Sequence, residues 1–330
     1  MQATRRSATG VAGPAPPSGP GGPGARRPGW RRDGRAALLF LGPWFLGLIA
    51  ITVGPITASF VLSFTDYNLL SAPDWVGLDN YRRMLEDTRL HNALRVTVTY
   101  VVVSVPLQLA AALALALVLD RGVRGLSFYR SVYYLPSLLG GSVAIAILWR
   151  LVFGTNGLVN AVLELPGVAG VAGLLGIAPT GWVSHPDYAL GTLVVLNVWT
   201  FGSPMVIFLA GLRQIPAMYY EAAAVDGAGW FTRFFRITVP LLTPIIFFNL
   251  ILQVINAFQS FTQAFIVSNG TGGPADATMF YTLYLYDRGF GAPPQMGYAS
   301  AMAWLLLMII AGFTAGNFFA ARYWVFYGDD

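Results

Sequence analysis

Residues 221–244 read E-A-A-A-V-D-G-A-G-W-F-T-R-F-F-R-I-T-V-P-L-L-T-P. They separate two long apolar segments and are not built as a plain linker. Glu221 to Val225 is a short run of helix formers rich in small residues, and Asp226-Gly227 breaks it. Arg233, Phe234, Phe235 and Arg236 follow as an aromatic-basic segment, and Pro240 and Pro244 mark the restart of an apolar helix. Ala222, Ala223 and Ala224 permit close approach of a partner backbone, while Arg233 and Arg236 offer cationic contacts. The stretch reads as a docking surface for another protein.

Composition sets the rest of the chain around that loop. The 330 residues are 55% hydrophobic and 11% charged, with a mean hydropathy of +0.60. Water-soluble domains carry roughly 25% charged residues, so an integral membrane protein is expected, embedded in a lipid bilayer. There is no cysteine, which excludes disulfides and thiolate metal sites. Every basic side chain is Arg and none is Lys. A P-loop and a Schiff-base enzyme both need a Lys, so any ATP-driven work belongs to another chain. His91 and His185 lie far apart, and Asp66, Asp74, Asp79, Glu86 and Asp87 gather in one surface segment. No catalytic residue and no metal site is expected, and the chain is not an enzyme. The net charge of +5 sits at segment ends, where it sets topology rather than binding nucleic acid.

Residues 1–35 carry Arg pairs among Pro and Gly and read as a disordered basic tail, with 36–330 as the transmembrane domain. The twin-Arg pairs hint at an export signal, but the following apolar run is too long for a signal h-region. A spanning helix needs about 20 mainly apolar residues. Six segments qualify, near 37–64, 97–119, 131–152, 190–212, 241–267 and 298–322, giving an all-α polytopic fold. Pro43, Pro55, Pro106 and Pro204 fall inside them as expected kinks. With the N-terminus inside, 14 of the 20 arginines fall on the inner side. Arg82, Arg83, Arg89, Arg95, Arg150 and Arg288 fall outside, so both termini are expected to be cytoplasmic. The segment D-N-Y-R-R-M-L-E-D reads as an amphipathic surface helix carrying the outer arginines near 82–95. The loops 153–189 and 268–297 fall outside, and 213–240 falls inside.

The fifth span carries Asn249, Gln253, Asn256, Ser260 and Gln263, with Gln259 at the edge. On a straight helix these five fall within about 40° of one line. Amides and hydroxyls do not face lipid cheaply, so they face other helices or water. Interhelical hydrogen bonds are one use for such a stripe. A pore for a neutral, hydroxylated solute is the other, and five polar residues in register suit it. Asn197, Trp199, Thr200 and Ser203 in the fourth span suit a sugar or ordinary packing equally. Gly312 and Gly316 read as close helix packing.

The loop pattern E-A-A-x-x-D-G-A followed by Phe, Ile and Pro-x-x-x-Pro resembles the signature of ABC importer permeases. It matches at Glu221, Ala222, Ala223, Asp226, Gly227, Ala228, Phe234, Ile237, Pro240 and Pro244. Y-Y-L-P at 133–136, L-W-R-L-V-F at 148–153, G-L-V-N at 157–160, F-Q-S-F-T-Q-A-F at 258–265, N-G-T-G-G-P at 269–274 and M-G-Y-A-S-A-M-A-W at 296–304 extend the likeness. Together they resemble the maltose-permease-type subunits of carbohydrate importers, over nearly everything after residue 36. The chain departs from the maltose permease itself in lacking a very large outer domain between its third and fourth spans. The resemblance implies a type I importer permease fold in a bacterial inner membrane. It also implies a second, homologous permease subunit, two cytoplasmic P-loop ATPase subunits that bind ATP and Mg, and an external sugar-binding protein. Glu221–Ala228, with Arg233, Phe234 and Pro240, would couple to the ATPase. An ion-coupled secondary transporter is the alternative, but it calls for an inverted repeat and midplane ionisable residues, and neither is evident.

Overall fold

The computed structural model describes residues 30–122, 125–174 and 176–326. Residues 1–29 of the tail and Arg124 of the topology count lie outside the described residues. Two compact units are present, Met1–Pro55 and Ile56–Asp330. The described part of the first is helix α1 (Trp30–Gly47) and a π-helical stretch, Leu48–Val53. Its apolar side chains, among them Phe40, Trp44 and Ile51, are exposed. Helix α2 (Gly54–Leu62) continues the run, and the widened turn sits beside Pro55, which has no N–H to give.

The second unit is built around α4 (Thr88–Asp120). Its buried positions include Ala93, Thr97, Tyr100, Ser104, Gln108, Ala112 and Ala116, spaced by three or four residues. Ala93, Ala112 and Ala116 are fully buried, and small residues there let neighbouring backbones approach closely. α9 (Pro186–Trp199), α10 (Gly202–Leu212) and α13 (Val239–Phe258) all pack on α4. α16 (Met296–Trp324) packs on α13 and on α15 (Tyr281–Phe290).

Among the described residues, four helical runs are long and apolar enough to cross a membrane: Leu39–Leu62, Thr88–Asp120, Trp230–Val267 and Met296–Trp324. The expected third and fourth spans are not single helices. α5 (Leu126–Leu139) and α6 (Val143–Val152) meet at 95°, and α9 and α10 at 42°. Gly140 and Gly141 follow Pro136 at the sharper bend, and the Ser142 side chain caps α6 by accepting from Ile145 N at 3.3 Å. The fifth segment also breaks, at Gln259, and resumes as α14 (Thr262–Val267).

A small assembly sits at the N-terminal end of α4, whose far end, Asp120, pairs with Arg213 ahead of residues 221–244. β1 (Thr65–Asp66) pairs antiparallel with β2 (Asp74–Trp75). α3 (Asp79–Glu86) is the expected amphipathic helix, burying Asn80 and Met84 four residues apart. Arg89 and Arg95, expected on that surface helix, lie in α4 instead because Asp87 starts a new helix. The Asp87 carboxylate accepts from Arg89 N and Leu90 N, and from the Tyr284 and Tyr298 hydroxyls at 2.7 and 2.8 Å. Arg89 pairs with Asp276 at 3.0 Å and Asp287 at 3.4 Å. The loop 153–189 contains α7 (Leu158–Leu163) and α8 (Pro166–Leu174). It is pinned by Asn160 of the G-L-V-N motif, which donates to the Thr155 and Thr180 carbonyls and accepts from Trp182 Nε1.

Candidate functional site

The two helix bends lie against each other and are joined by polar groups. Proline at 204 has no N–H, so the Thr200 carbonyl loses its partner one turn back. Two side chains from other helices replace it. Ser137 Oγ of α5 donates to it at 2.8 Å, and Gln108 Nε2 of α4 donates at 3.2 Å. Gln108 Nε2 also reaches Thr200 Oγ1 at 3.0 Å, and Asn197 Nδ2 donates to Gln108 Oε1 at 3.3 Å. Ser137 Oγ accepts from Ser203 N, an early N–H of α10 that its own helix leaves free. Glycine makes this contact possible. A Cβ on Gly140 would lie 2.2 Å from Thr200 Cγ2, and one on Gly202 would lie 2.4 Å from the Tyr133 carbonyl.

A cavity of about 500 Å³ opens beside these bends. Asn197, Ser203, Gln253, Asn256, Ser260 and Gln263 line it, so the structure brings six of the eight expected pathway residues together. Tyr100, Gln108, Ser137, Thr200, Gln259 and Thr262 complete its polar wall. No lining residue is charged. Gln263 Nε2 donates to the Gly140 carbonyl at 3.1 Å, tying α14 to the sharper bend.

Two expected residues do not line the cavity. Asn249 is fully buried in α13, a helix that packs on α4 and α10, and its Nδ2 donates to the Ile245 carbonyl of its own helix. Trp199 turns to Trp149, with ring centroids 5.9 Å apart. The expected single line of five polar residues also fails as drawn, since Ser260 and Gln263 lie beyond the break at Gln259. Sequence reasoning missed Gln108 and Ser137. The signal for Gln108 was a lone amide two residues after Pro106 in an apolar helix. The expected packing at Gly312 and Gly316 is not made within the described residues, where a Cβ on either meets nothing within 4 Å.

At the other end, α11 (Ala217–Val225) carries the E-A-A residues and has no buried side chain. Its C-terminus closes on Gly227 with φ +73°. Gly227 N donates to the Ala224 carbonyl at 3.1 Å and Ala228 N to the Ala223 carbonyl at 2.9 Å. That pair of bonds is a Schellman closure, which favours glycine at this left-handed position. Glu221, Ala222, Asp226 and Gly227 are exposed, and Ala223 and Ala228 are half-buried. Arg233 Nε donates back to the Ala228 carbonyl at 2.7 Å, and Phe234 stacks on Trp230 at 5.5 Å. The chain then runs through α12 (Trp230–Arg233) and a π-helical turn, Phe234–Thr238, into α13 at Pro240. Tyr220 and Thr238 hydroxyls lie 3.0 Å apart and fasten α11 to the foot of α13. Val225, Trp230, Phe231 and Phe235 remain exposed around α11.

Comparison with known proteins places this architecture. Residues 126–323 match the family model described as "Binding-protein-dependent transport system inner membrane component". The "Probable ABC transporter permease protein YesP" of Bacillus subtilis (strain 168) is 49% identical over 298 residues, covering 90% of this chain and 94% of that protein. The "Lactose transport system permease protein LacF" of Rhizobium radiobacter is 32% identical, covering 86% and 93%. A chain of a solved bacterial alginate ABC transporter, in complex with its alginate pentasaccharide-bound periplasmic protein, superposes with a TM-score of 0.71. It is 19% identical, with 89% of this chain and 96% of that chain covered, so the likeness speaks for the fold. Homologues of this kind are transport subunits rather than enzymes. With the family match running from α5 through most of α16, this chain belongs to the binding-protein-dependent transport system inner membrane components.

Proposed function

We propose that this chain is one of two permease subunits of an ATP-driven importer and forms part of the pore for a neutral sugar or sugar-like solute. The observation that carries the reading is the uncharged cavity beside the two bends. Amides and hydroxyls both donate and accept, which suits the hydroxyls of a sugar, and Tyr100 and Phe261 supply apolar surface for its C–H faces. Relatives that include a lactose system permease and a trehalose/maltose system permease support the same class.

In this reading each bent pair is one span, giving six, with both termini in the cytoplasm, the side that then carries most of the arginines. The chain sits in the inner membrane. α11 is cytoplasmic and docks in a partner ATPase that binds ATP and Mg. Its lack of any fully buried side chain and its fastening to α13 support a part that passes movement into the bundle. A second homologous permease completes the pore, and an external binding protein delivers the solute at the end closed by the β1–β2 hairpin.

Affinity purification of the tagged chain in mild detergent, with mass spectrometry of what accompanies it, tests this. Recovery of a P-loop ATPase and a second permease is expected. A folded chain that purifies alone would overturn the coupling role of residues 221–244 and move the test to ion-coupled uptake.

A further inference from the structure

The amide side chains of the cavity divide into two sets, with Ser137 joining the first. Gln108, Asn197, Ser137 and Gln263 are bonded to other helices or to the bends. Gln253, Asn256 and Gln259 face the cavity with no side-chain hydrogen bond among the described residues. Gln108 is the most committed of the first set. It is 2% exposed, donates to both oxygens of Thr200, and accepts from Asn197. With both N–H donors and one of the two oxygen lone pairs taken, this buried amide has little left for a passing solute.

We propose that Gln108 is a positioning residue for transport: it supplies the hydrogen bond that Pro204 removes from Thr200, and so fixes the α9–α10 bend that walls the cavity. The local logic is closed. A helix with Pro at 204 leaves the Thr200 carbonyl open, and burial makes an open carbonyl costly. Ser137 covers one lone pair and Gln108 the other. Gln108 also holds the Thr200 hydroxyl and the Asn197 amide, so it grips both residues that end α9 on the cavity side. Solute contact then falls to the free amides of α13 and its break. The inference rests on the importer reading above.

The test uses a chain with no cysteine, so an introduced pair is unique. Tyr188→Cys on α9 and Val206→Cys on α10 are both exposed and carry spin labels across the bend. A narrow distance distribution is expected in the parent and a broad one in Gln108→Leu. Pro204→Ala restores an N–H within reach of the Thr200 carbonyl, so on that background Gln108→Leu should leave the distribution narrow. Gln108→Leu with the parent distribution, or equal broadening on both backgrounds, overturns the proposal. A second arm measures uptake of radiolabelled lactose and maltose by the assembled complex in vesicles. Gln108→Leu should lower the maximal rate about tenfold, the order expected when the Thr200 carbonyl keeps only its Ser137 bond and the Asn197 amide loses its acceptor, with half-saturation unchanged. A raised half-saturation at unchanged maximal rate would make Gln108 a solute contact instead. A parent that carries neither sugar counts against the proposed function, and the distance measurement alone then decides the role of Gln108.

Discussion

Substitution at Gly227 separates the loop's backbone geometry from its chemistry. Gly227 sits at φ +73°, and a Cβ added there would meet nothing within 4 Å. Gly227→Ala therefore carries only the left-handed backbone term, about 1 kcal/mol. Asn tolerates that region better, so Gly227→Asn should cost less. Gly227→Pro is different in kind. It forces φ to about −65° and deletes the N–H that donates to the Ala224 carbonyl. Moving the backbone also removes Ala228 N from the Ala223 carbonyl. Two bonds at about 1 kcal/mol each, plus the strain, give roughly 3–4 kcal/mol against the native closure. α11 has nine residues and no buried side chain, and a helix that short is marginal without its end contacts. The core around α4 is untouched, so the variant should insert normally. Solute uptake and recovery of the ATPase partner on a tagged column are the assays, with membrane insertion as the control. Both should fall in the order Gly, Asn, Ala, Pro, with Pro abolishing uptake. Full uptake by Gly227→Pro would refute a docking role for α11. Equal loss in Ala and Pro would refute the backbone argument, because the space beside Gly227 is open.

Glu221→Arg reverses the charge of an exposed position on α11 and should weaken ATPase recovery without lowering thermal stability; unchanged recovery would place the docking surface elsewhere. Changing Gln253 and Asn256 together to Leu removes two free amides from the cavity and should reduce uptake while partner recovery stays normal; unaltered uptake kinetics would leave these amides a packing role. At Asp87, burial pushes the carboxyl up, but hydrogen bonds from Tyr284, Tyr298 and Leu90 N and the charge of Arg288 outweigh it and hold it below its ordinary value of 3.8. A depressed carboxylate stabilises above about pH 4 and loses that stabilisation as pH falls through its folded value. Asp87→Asn should therefore flatten the acid limb of the melting-temperature profile in detergent, and identical limbs would exclude this group as its source.

Much of this was legible because hydrophobic length and glycine geometry are local properties. The amphipathic α3 follows from Asn80 and Met84 lying one turn apart, and the end of α11 from Asp226-Gly227. What escaped depended on how one helix meets another. Counting apolar residues over 131–152 gives a single span, yet Gly140 and Gly141 turn the chain by 95°. Hydropathy averages over such a turn without registering it. The expected polar stripe assumes a straight helix, which hides the break at Gln259 and groups Asn249 with the others. Asn249 is fully buried on a helix that packs against α4, α10 and α16, and no periodicity within α13 contains that packing.

The prolines show why the distinction matters for a transporter. Pro244 and Pro204 each leave a carbonyl without its usual partner one turn back. For Pro244 the repair is local: Thr243 Oγ1 of the same helix donates to the Pro240 carbonyl at 2.6 Å. For Pro204 the repair comes from two other helices, through Ser137 and Gln108. The first kink moves with its own helix. The second exists only while α4, α5 and α10 hold their relative places, so displacement of any one of them is felt at Thr200. The cavity is lined at that same residue, together with Gln108 and Ser137. A shift in helix packing therefore changes the cavity wall directly, with no separate linkage needed.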